Sequence, residues 1–153
     1  NWFSSFIIDK GSQDGIQLNC NVIAGSGLVG RVTQVGSNYA KVTSIIEDNN
    51  NTSGLLLSTG DHLVVTGDLS TISKGMISFS KLVDSSQKAA VGDKIVTSNI
   101  SEHYLPGLLI GYISEINTDA NNLTKSGLLT TAVDFEHLND VLVIMDVKQV
   151  IRN

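Results

Sequence analysis

The sequence is poor in cysteine, proline and aromatic residues, and each shortage excludes a class of protein. A single cysteine, Cys20, cannot form an internal disulfide, so the chain is not a disulfide scaffold. A single proline excludes a rigid proline-rich linker. Aromatic residues supply only 5% of the 153 positions, which argues against a sugar-binding platform built from stacked rings.

Positive charge and long apolar runs are also lacking. The formal net charge is −5 and no segment is basic, so the chain does not resemble a nucleic-acid binder or a protein held on an anionic membrane by charge. No apolar run approaches the ~20 residues that cross a bilayer, and no signal peptide opens the chain. Because the first residue is Asn, we expect an excised fragment of a longer protein.

The residues that are abundant favour β-structure. Val, Ile and Thr together supply 41 residues, whereas Ala and Glu together supply 10. Strand formers therefore dominate and good helix formers are scarce. With 41% hydrophobic and 16% charged residues, the composition predicts a folded all-β protein.

Short apolar segments alternate with turn-rich segments along the whole chain. This pattern predicts strands at 6–8, 21–24, 28–35, 40–46, 53–57, 63–66, 76–79, 94–97, 107–116, 127–133 and 140–145, with short helical turns at 84–90 and 134–138. Glycines inside 28–35 and 107–116 predict bends or bulges. An open sheet of so many strands would leave exposed edges, so we predict closure into barrels.

The predicted architecture is two small β-barrels side by side, made of short antiparallel strands with little helix. Polar breaks at 47–53 and 58–62 are the candidate boundaries. We assign residues 1–60 to the first barrel, 61–148 to the second and 149–153 to a tail. An alternative division returns the last strand to the first barrel.

One stretch matches a nucleotide-binding pattern. Residues 25–30 read G-x-G-x-x-G, and Glu47 follows at a spacing typical of the dinucleotide fingerprint. The chemistry requires a helix that begins at the last glycine and holds the pyrophosphate. Here the β-branched residues that follow Gly30 predict a strand, so we interpret the stretch as a hairpin without a cofactor.

The remaining reactive residues form no catalytic or metal-binding pattern. Two S-x-x-K matches, at 78–81 and 85–88, lack the partner elements of penicilloyl-serine enzymes. His62, His103 and His137 are widely spaced, with no metal-ligand pair among them. Cys20 is interpreted as a structural thiol. We therefore predict no catalytic residue, no metal site and no cofactor.

Four segments in series resemble one protein family. They are KGSQDGI at 10–16, GLVGRV at 27–32, GDKIVTS at 92–98 with LPGLLIG at 105–111, and VDF at 133–135 with LNDVLVI at 138–144. In order and spacing they are similar to the rod-shape-determining protein MreC family, over nearly the whole chain. The family-motif positions expected to set turns and packing are Gly11, Gly15, Gly27, Gly30, Gly92, Asp93, Thr97, Ser98, Pro106, Gly107, Gly111 and Asp134. Asn99 departs from the family, which often has glycine there, so we expect an altered turn.

The resemblance implies a bitopic bacterial membrane protein of which this chain is the extracytoplasmic part. It implies two small β-barrels, a transmembrane helix and a coiled coil upstream, and a homodimer in the full-length protein. It also implies contacts with a class B penicillin-binding transpeptidase and other elongation-complex membrane proteins, and an indirect link to the MreB cytoskeleton. The expected function is a non-enzymatic scaffold for lateral peptidoglycan synthesis and rod cell shape.

Two other functions stay open at this stage. A degenerate two-barrel hydrolase of the cell wall would bring His62 or His103 close to a serine and a carboxylate. A glycan-binding module would present a flat platform of aromatic rings. The surface that binds partners cannot be assigned from the sequence.

Overall fold

The computed structural model describes residues 4–149 and contains eleven β-strands in that range. In chain order they are β1 (Ser5–Ile8), β2 (Asn21–Ala24), β3 (Gly27–Val35), β4 (Ala40–Ser44), β5 (Asn51–Leu56), β6 (His62–Thr66), β7 (Met76–Leu82), β8 (Lys94–Thr97), β9 (Leu109–Thr118), β10 (Lys125–Thr131) and β11 (Leu142–Ile144). The only helices in the same range are a 3-10 turn (Ser12–Asp14) and the single-turn α1 (Leu69–Ile72). The predicted all-β fold is confirmed.

Six of the strands close into a barrel. Their order is β5–β6–β7–β10–β9–β8, and β8 pairs back onto β5. Along β6 the side chains alternate, so that Leu63 and Val65 are buried inside the ring while Val64 is partly exposed. Since every strand of the ring has two neighbours, this part of the protein has no open sheet edge.

The other five strands form a second sheet with the order β1–β4–β3–β2–β11. Every pairing within it is antiparallel. It contacts the barrel through one parallel pair, Gly27 of β3 with Leu109 of β9. The outer strands β1 and β11 do not pair with each other in residues 4–149. A second closed barrel is therefore not seen within this range.

Bulges occur near the strand glycines, as the sequence predicted. The pairing of β2 with β3 shifts register between Val22 and Ile23, and that of β3 with β4 shifts between Val32 and Gln34, on either side of Gly30. The pairing of β8 with β9 shifts beside Gly111. These bulges bend the long strands, so that the sheets to which they belong can curve.

The two sheets share one hydrophobic core. Its fully buried side chains come from both parts, and the largest of them are Phe79, Phe135, Leu28, Ile45, Ile46, Leu56, Ile77, Leu82, Ile95, Ile110, Ile113 and Leu129. Burying one such side chain stabilises the fold by about 1.5–3 kcal/mol. The boundary predicted between residues 60 and 61 lies within the β5–β6 hairpin, and both of these strands belong to the closed barrel. The division into 1–60 and 61–148 stays a prediction, and residues 150–153 of the predicted tail lie outside the described range.

Both predicted helical turns differ from the structure. Segment 84–90 contains one hydrogen-bonded turn, from Gln87 N–H to Asp84 C=O, and segment 134–138 contains one, from His137 N–H to Asp134 C=O. In each segment an aspartate side chain also accepts one or two backbone N–H groups, but the hydrogen bonding does not continue into a helix. The helix α1 was not predicted, although Asp68 caps it by accepting the N–H of Ser70 at 2.9 Å.

Candidate partner-binding groove

A groove lies where the first and last strands of the five-stranded sheet approach each other. Its volume is about 580 Å³. Because β1 and β11 stand at opposite ends of the strand order yet line one groove, the sheet must be curled. The apolar part of the lining packs on the core and consists of Phe6, Ile8, Leu138, Val141 and Val143.

The rim of the groove combines exposed apolar and charged residues. Ile7 is 61% exposed, and the neighbouring Leu142 is 66% exposed. Asp9, Lys10 and Asp140 also line the groove, so carboxylates outnumber ammonium groups there. An apolar floor with a polar rim is typical of a surface that binds another protein. Sequence reasoning missed this groove because its two sides come from opposite ends of the chain.

The predicted motif residues around Thr97 form a hydrogen-bonded loop that begins at the end of β8. Thr97 Oγ1 donates to Leu105 C=O at 2.7 Å and accepts the N–H of Leu108 at 2.8 Å. Gly107 N–H donates to Thr97 C=O at 3.0 Å, and Gly107 has a φ of +83°, which favours glycine. Pro106 precedes it in the same turn. Asn99 has no positive φ, so its turn does not need the glycine that the family often has there.

Gly30 is required by a close approach of two strands. A Cβ atom at this position would collide with the carbonyl oxygen of Thr43 and lie 2.6 Å from the Cα of Ser44. The remaining predicted motif residues are spread over both sheets and do not form one site: Gly11, Gly15, Gly27, Gly92, Asp93, Gly111 and Asp134. Their assignment as family-motif positions stays a prediction.

A hydrolase would need His62 or His103 close to both a serine and a carboxylate, and among the described residues His62 is hydrogen-bonded to a serine only. Its Nδ1 lies 3.0 Å from Ser98 Oγ, within hydrogen-bond distance. Ser98 is completely buried, however, and its hydroxyl also accepts the N–H of Ile100 at 3.2 Å. No carboxylate among the described residues hydrogen bonds to His62. The pair therefore fixes a turn, and the arrangement lacks both substrate access and the third group of a triad.

The other two histidines have different surroundings. His137 Nδ1 lies 3.0 Å from the exposed Asp134, and this hydrogen bond is the main cause that lowers the pKa of Asp134. Burial, followed by the positive charge of Arg31, lowers the pKa of His103. Within residues 4–149 neither imidazole is hydrogen-bonded to a serine hydroxyl. The three histidines do not come together in one site.

In the described range, the remaining sequence patterns belong to strands and turns and form no binding or catalytic site. The G-x-G-x-x-G stretch is the β2–β3 hairpin, and β3 continues through Gly30 as the sequence predicted. Ser78 lies within β7 and donates its hydroxyl to Thr66 C=O, and Ser85 lies in a turn. Cys20 is buried, with its Sγ 3.8 Å from Met145 C=O. Within residues 4–149 no three His, Cys, Asp or Glu side chains group closely enough to hold a metal ion.

Two tyrosines are the large aromatic side chains with the greatest exposure in the described part of the chain. Tyr39 precedes β4 of the five-stranded sheet and is 37% exposed, and Tyr112 lies on β9 of the barrel and is 36% exposed. They belong to different sheets, and Phe79, Phe135 and Tyr104 are buried. The described residues thus contain no aromatic platform. Over the same range, none of the helices has the length and apolar character of a membrane span.

Fold and groove together define a small all-β module. It consists of a closed barrel and a second, curled sheet that has an apolar groove between its first and last strands. The chain belongs to the MreC family of cell shape-determining proteins, because residues 1–145 match the family model described as the barrel core of the rod shape-determining protein MreC. The resemblance seen in the sequence is confirmed.

Curated relatives agree with this assignment. The chain is 30% identical over 151 residues to the cell shape-determining protein MreC of Listeria monocytogenes, which covers 94% of this chain and 49% of the relative. It is 28% identical over 153 residues to MreC of Bacillus subtilis, covering 94% of this chain and 52% of the relative. The chain therefore spans about half the length of the curated relatives it matches.

Solved structures have the same fold. MreC from Listeria monocytogenes superposes with a TM-score of 0.81 at 28% identity, covering 94% of this chain and 68% of that chain. MreC from Pseudomonas aeruginosa gives a TM-score of 0.75 at 20% identity, with 92% and 88% covered. A chain in the complex between PBP2 and MreC from Helicobacter pylori gives 0.64 at 13% identity, with 94% and 96% covered, and this likeness concerns the fold alone.

Proposed function

We propose that this chain is the extracytoplasmic part of a single-pass membrane protein that acts as a non-enzymatic scaffold of the bacterial cell-elongation machinery. It docks a class B penicillin-binding transpeptidase and other elongation-complex membrane proteins, and these connect it indirectly to the MreB cytoskeleton. The full-length form is a homodimer. The docking organises lateral peptidoglycan synthesis and maintains the rod shape. Membership of the MreC family is the observation that carries this proposal.

The choice of a transpeptidase as partner has a second support. A solved complex pairs MreC with the penicillin-binding protein PBP2 in Helicobacter pylori, and a chain of that complex shares the fold described above. The physical properties of the chain suit docking, because a closed barrel is stiff and the neighbouring sheet offers an apolar groove. Preformed, rigid surfaces lose little conformational entropy on binding.

The site chemistry supports a role without catalysis. Ser98 is the serine nearest to a histidine, but it is buried and its hydroxyl holds a turn. A nucleophile needs an exposed hydroxyl and a base that a third group orients. The pair of Ser98 and His62 meets neither condition, because Ser98 is buried and no carboxylate of the described residues bonds to His62.

The experiment is a pull-down of the extracytoplasmic portion of the class B transpeptidase with the full-length, membrane-anchored protein in detergent. We expect retention of this transpeptidase and none of a penicillin-binding protein from another class, which serves as control. Depletion of the protein should also make rod-shaped cells round, and the full-length gene product should restore them. Failure to retain the transpeptidase, or retention of purified glycan strands in its place, would contradict the proposal.

A further inference from the structure

The outer edge of β1 directs backbone groups into the groove. Ser44 N–H donates to Ser4 C=O at 2.8 Å, and residues 5–8 pair in register with 43–40. Backbone groups alternate between the two sides of an antiparallel strand. The next residues bonded to β4 are therefore 6 and 8, and the N–H and C=O of Ile7 point away from β4. Ile7 lines the groove, and β4 is the one described strand that pairs with β1.

The outer edge of β11 faces the same groove. Val32 N–H of β3 donates to Cys20 C=O at 2.9 Å, so the even-numbered residues of β2 bond to β3 and its odd-numbered residues bond to β11. These odd-numbered residues pair with Leu142 and Ile144. The N–H and C=O of Val143, which lies between them, therefore point away from β2. Val143 also lines the groove.

Two sheet edges with free backbone groups and an apolar cavity between them form a site for one added strand. We propose that the groove between β1 and β11 binds an extended segment of a partner protein, which pairs with Ile7 on one side and Val143 on the other. The adjacent barrel is closed by six strands. One inserted strand would give the five-stranded sheet six strands as well, so that it too could close. The proposal rests on the proposed function and locates where the docking takes place.

The lining of the groove defines the chemistry of the segment. Alternate side chains of an inserted strand face the floor, so they must be apolar to cover Phe6, Ile8 and Val141. Asp9 and Asp140 outnumber the one lysine of the rim, so a Lys or Arg at the end of the segment is favoured. A second copy of this chain, with its net charge of −5, is a poorer match than a partner with a basic segment.

The test measures binding of the extracytoplasmic portion of the class B transpeptidase to this chain by calorimetry. The variants Ile7→Pro and Val143→Pro each remove one N–H that points into the groove, and proline is tolerated at such edge positions. The control, Val91→Pro, is an exposed position in the turn closed by Asp93 N–H and Ala90 C=O, on the closed barrel. We expect the dissociation constant to rise at least about tenfold in both groove variants and to stay unchanged in the control. Thermal unfolding verifies that each variant is folded.

The outcomes separate this proposal from the proposed function. If the unmodified chain does not bind the transpeptidase, the partner itself is wrong and the groove proposal is overturned with it. If the unmodified chain binds and both groove variants bind equally well, the scaffold function stands and the groove is not the site.

Hydrogen exchange of the backbone amides is a second measurement. It distinguishes strand pairing, which protects these amides, from contact through side chains alone. The amides of Ile7 and Val143 should exchange rapidly in the free chain and slow down when the transpeptidase is added. Slow exchange in the dilute free chain would mean that the chain fills its own groove. Slowing that depends on the concentration of the chain alone would identify a second copy as the occupant. Either result overturns the proposal.

Discussion

The side-chain amide of Asn21 accepts the backbone N–H of Leu105 at 2.9 Å, although the two residues lie 84 positions apart. The same amide donates to the carbonyl of His103, also at 2.9 Å, and to that of Asn19 at 3.1 Å. Asn21 is on β2 of the five-stranded sheet and is 1% exposed, whereas residues 103–105 belong to the loop between β8 and β9 of the barrel. One buried side chain therefore fixes the barrel loop against the other sheet.

Replacement of Asn21 by Ala should destabilise the protein by about 2 kcal/mol, because two backbone groups of the loop lose their partners. Asn117→Ala is a matched control, since Asn117 is exposed on β9 and its side chain has no hydrogen bond to a described residue. We expect a change within about 0.5 kcal/mol for the control. Urea unfolding measures both, and equal stabilities would show that the amide does not hold the loop.

Two glycines of the same short motif should respond differently to alanine. In Gly30→Ala the new Cβ would meet the backbone of residues 43 and 44, so we expect a loss of about 3 kcal/mol. In Gly25→Ala nothing lies near the new Cβ, and only the φ of +58° opposes the change. That costs about 1 kcal/mol. Thermal or urea unfolding compares the variants, and a smaller loss at Gly30 than at Gly25 would refute the close-approach argument.

The ion pair of Lys125 and Asp84 should make the barrel sensitive to acid. Lys125 Nζ lies 2.7 Å from Asp84 Oδ2, and the Asp84 side chain is completely buried. Burial raises the pKa of Asp84, but hydrogen bonds from Lys125, Ala89 and Lys88 together outweigh it, and the net pKa is lowered from 3.8. The pair therefore stabilises the fold fully above the unfolded pKa, and the stabilisation is lost as the pH falls through the folded pKa.

Lys125→Met should lower the stability at neutral pH by roughly 2 kcal/mol, because it leaves a buried carboxylate without its ammonium. The loss should shrink below the pKa of the carboxylate, where Asp84 is neutral. Lys88→Met is the control, since the Lys88 ammonium has no ion pair with a described residue. Unfolding curves recorded from neutral to strongly acidic pH test this, and a pH-independent difference between the two variants would contradict it.

Tyr104 should cause a loss of stability at alkaline pH. Burial raises the pKa of its phenol to about 12, although the nearby Arg31 acts in the opposite direction. Because the folded pKa lies above the unfolded value of 10.0, stability is intact below pH 10 and falls as the pH rises towards 12, by at most roughly 3 kcal/mol. Tyr104→Phe should remove this fall. It should cost less than about 1 kcal/mol at neutral pH, since the buried hydroxyl lies near Arg31 but makes no hydrogen bond of standard geometry in the described structure. The same alkaline loss in the variant would assign it to another group.

Ser98 should not react with fluorophosphonate probes of serine hydrolases. Its hydroxyl is inaccessible and is shared between His62 and the N–H of Ile100. Mass spectrometry of the intact chain after incubation should show no adduct, with a purified serine protease as the positive control. An adduct that disappears in Ser98→Ala would bring back the hydrolase hypothesis.

Local patterns accounted for much of the fold. Short apolar segments such as 63–66, bounded by turn-rich segments, located all eleven strands, because strand formers and turn residues act over a few neighbouring positions. The Asp68-Leu69-Ser70 sequence carried a helix-capping signal for α1 that was not used. At 84–90 and 134–138, where helical turns were predicted, the structure has one hydrogen-bonded turn each and no helix.

The sequence by itself determined the all-β class, the order of the strands along the chain and the absence of a nucleotide-binding helix after Gly30, since all three depend on neighbouring residues. Only the tertiary structure decided which strands close into the barrel and that β1 and β11 border one groove. It also decided that Asn21 reaches Leu105. These features join residues distant in the chain, and their positions depend on how the bulged strands curve and on how both sheets share a single core.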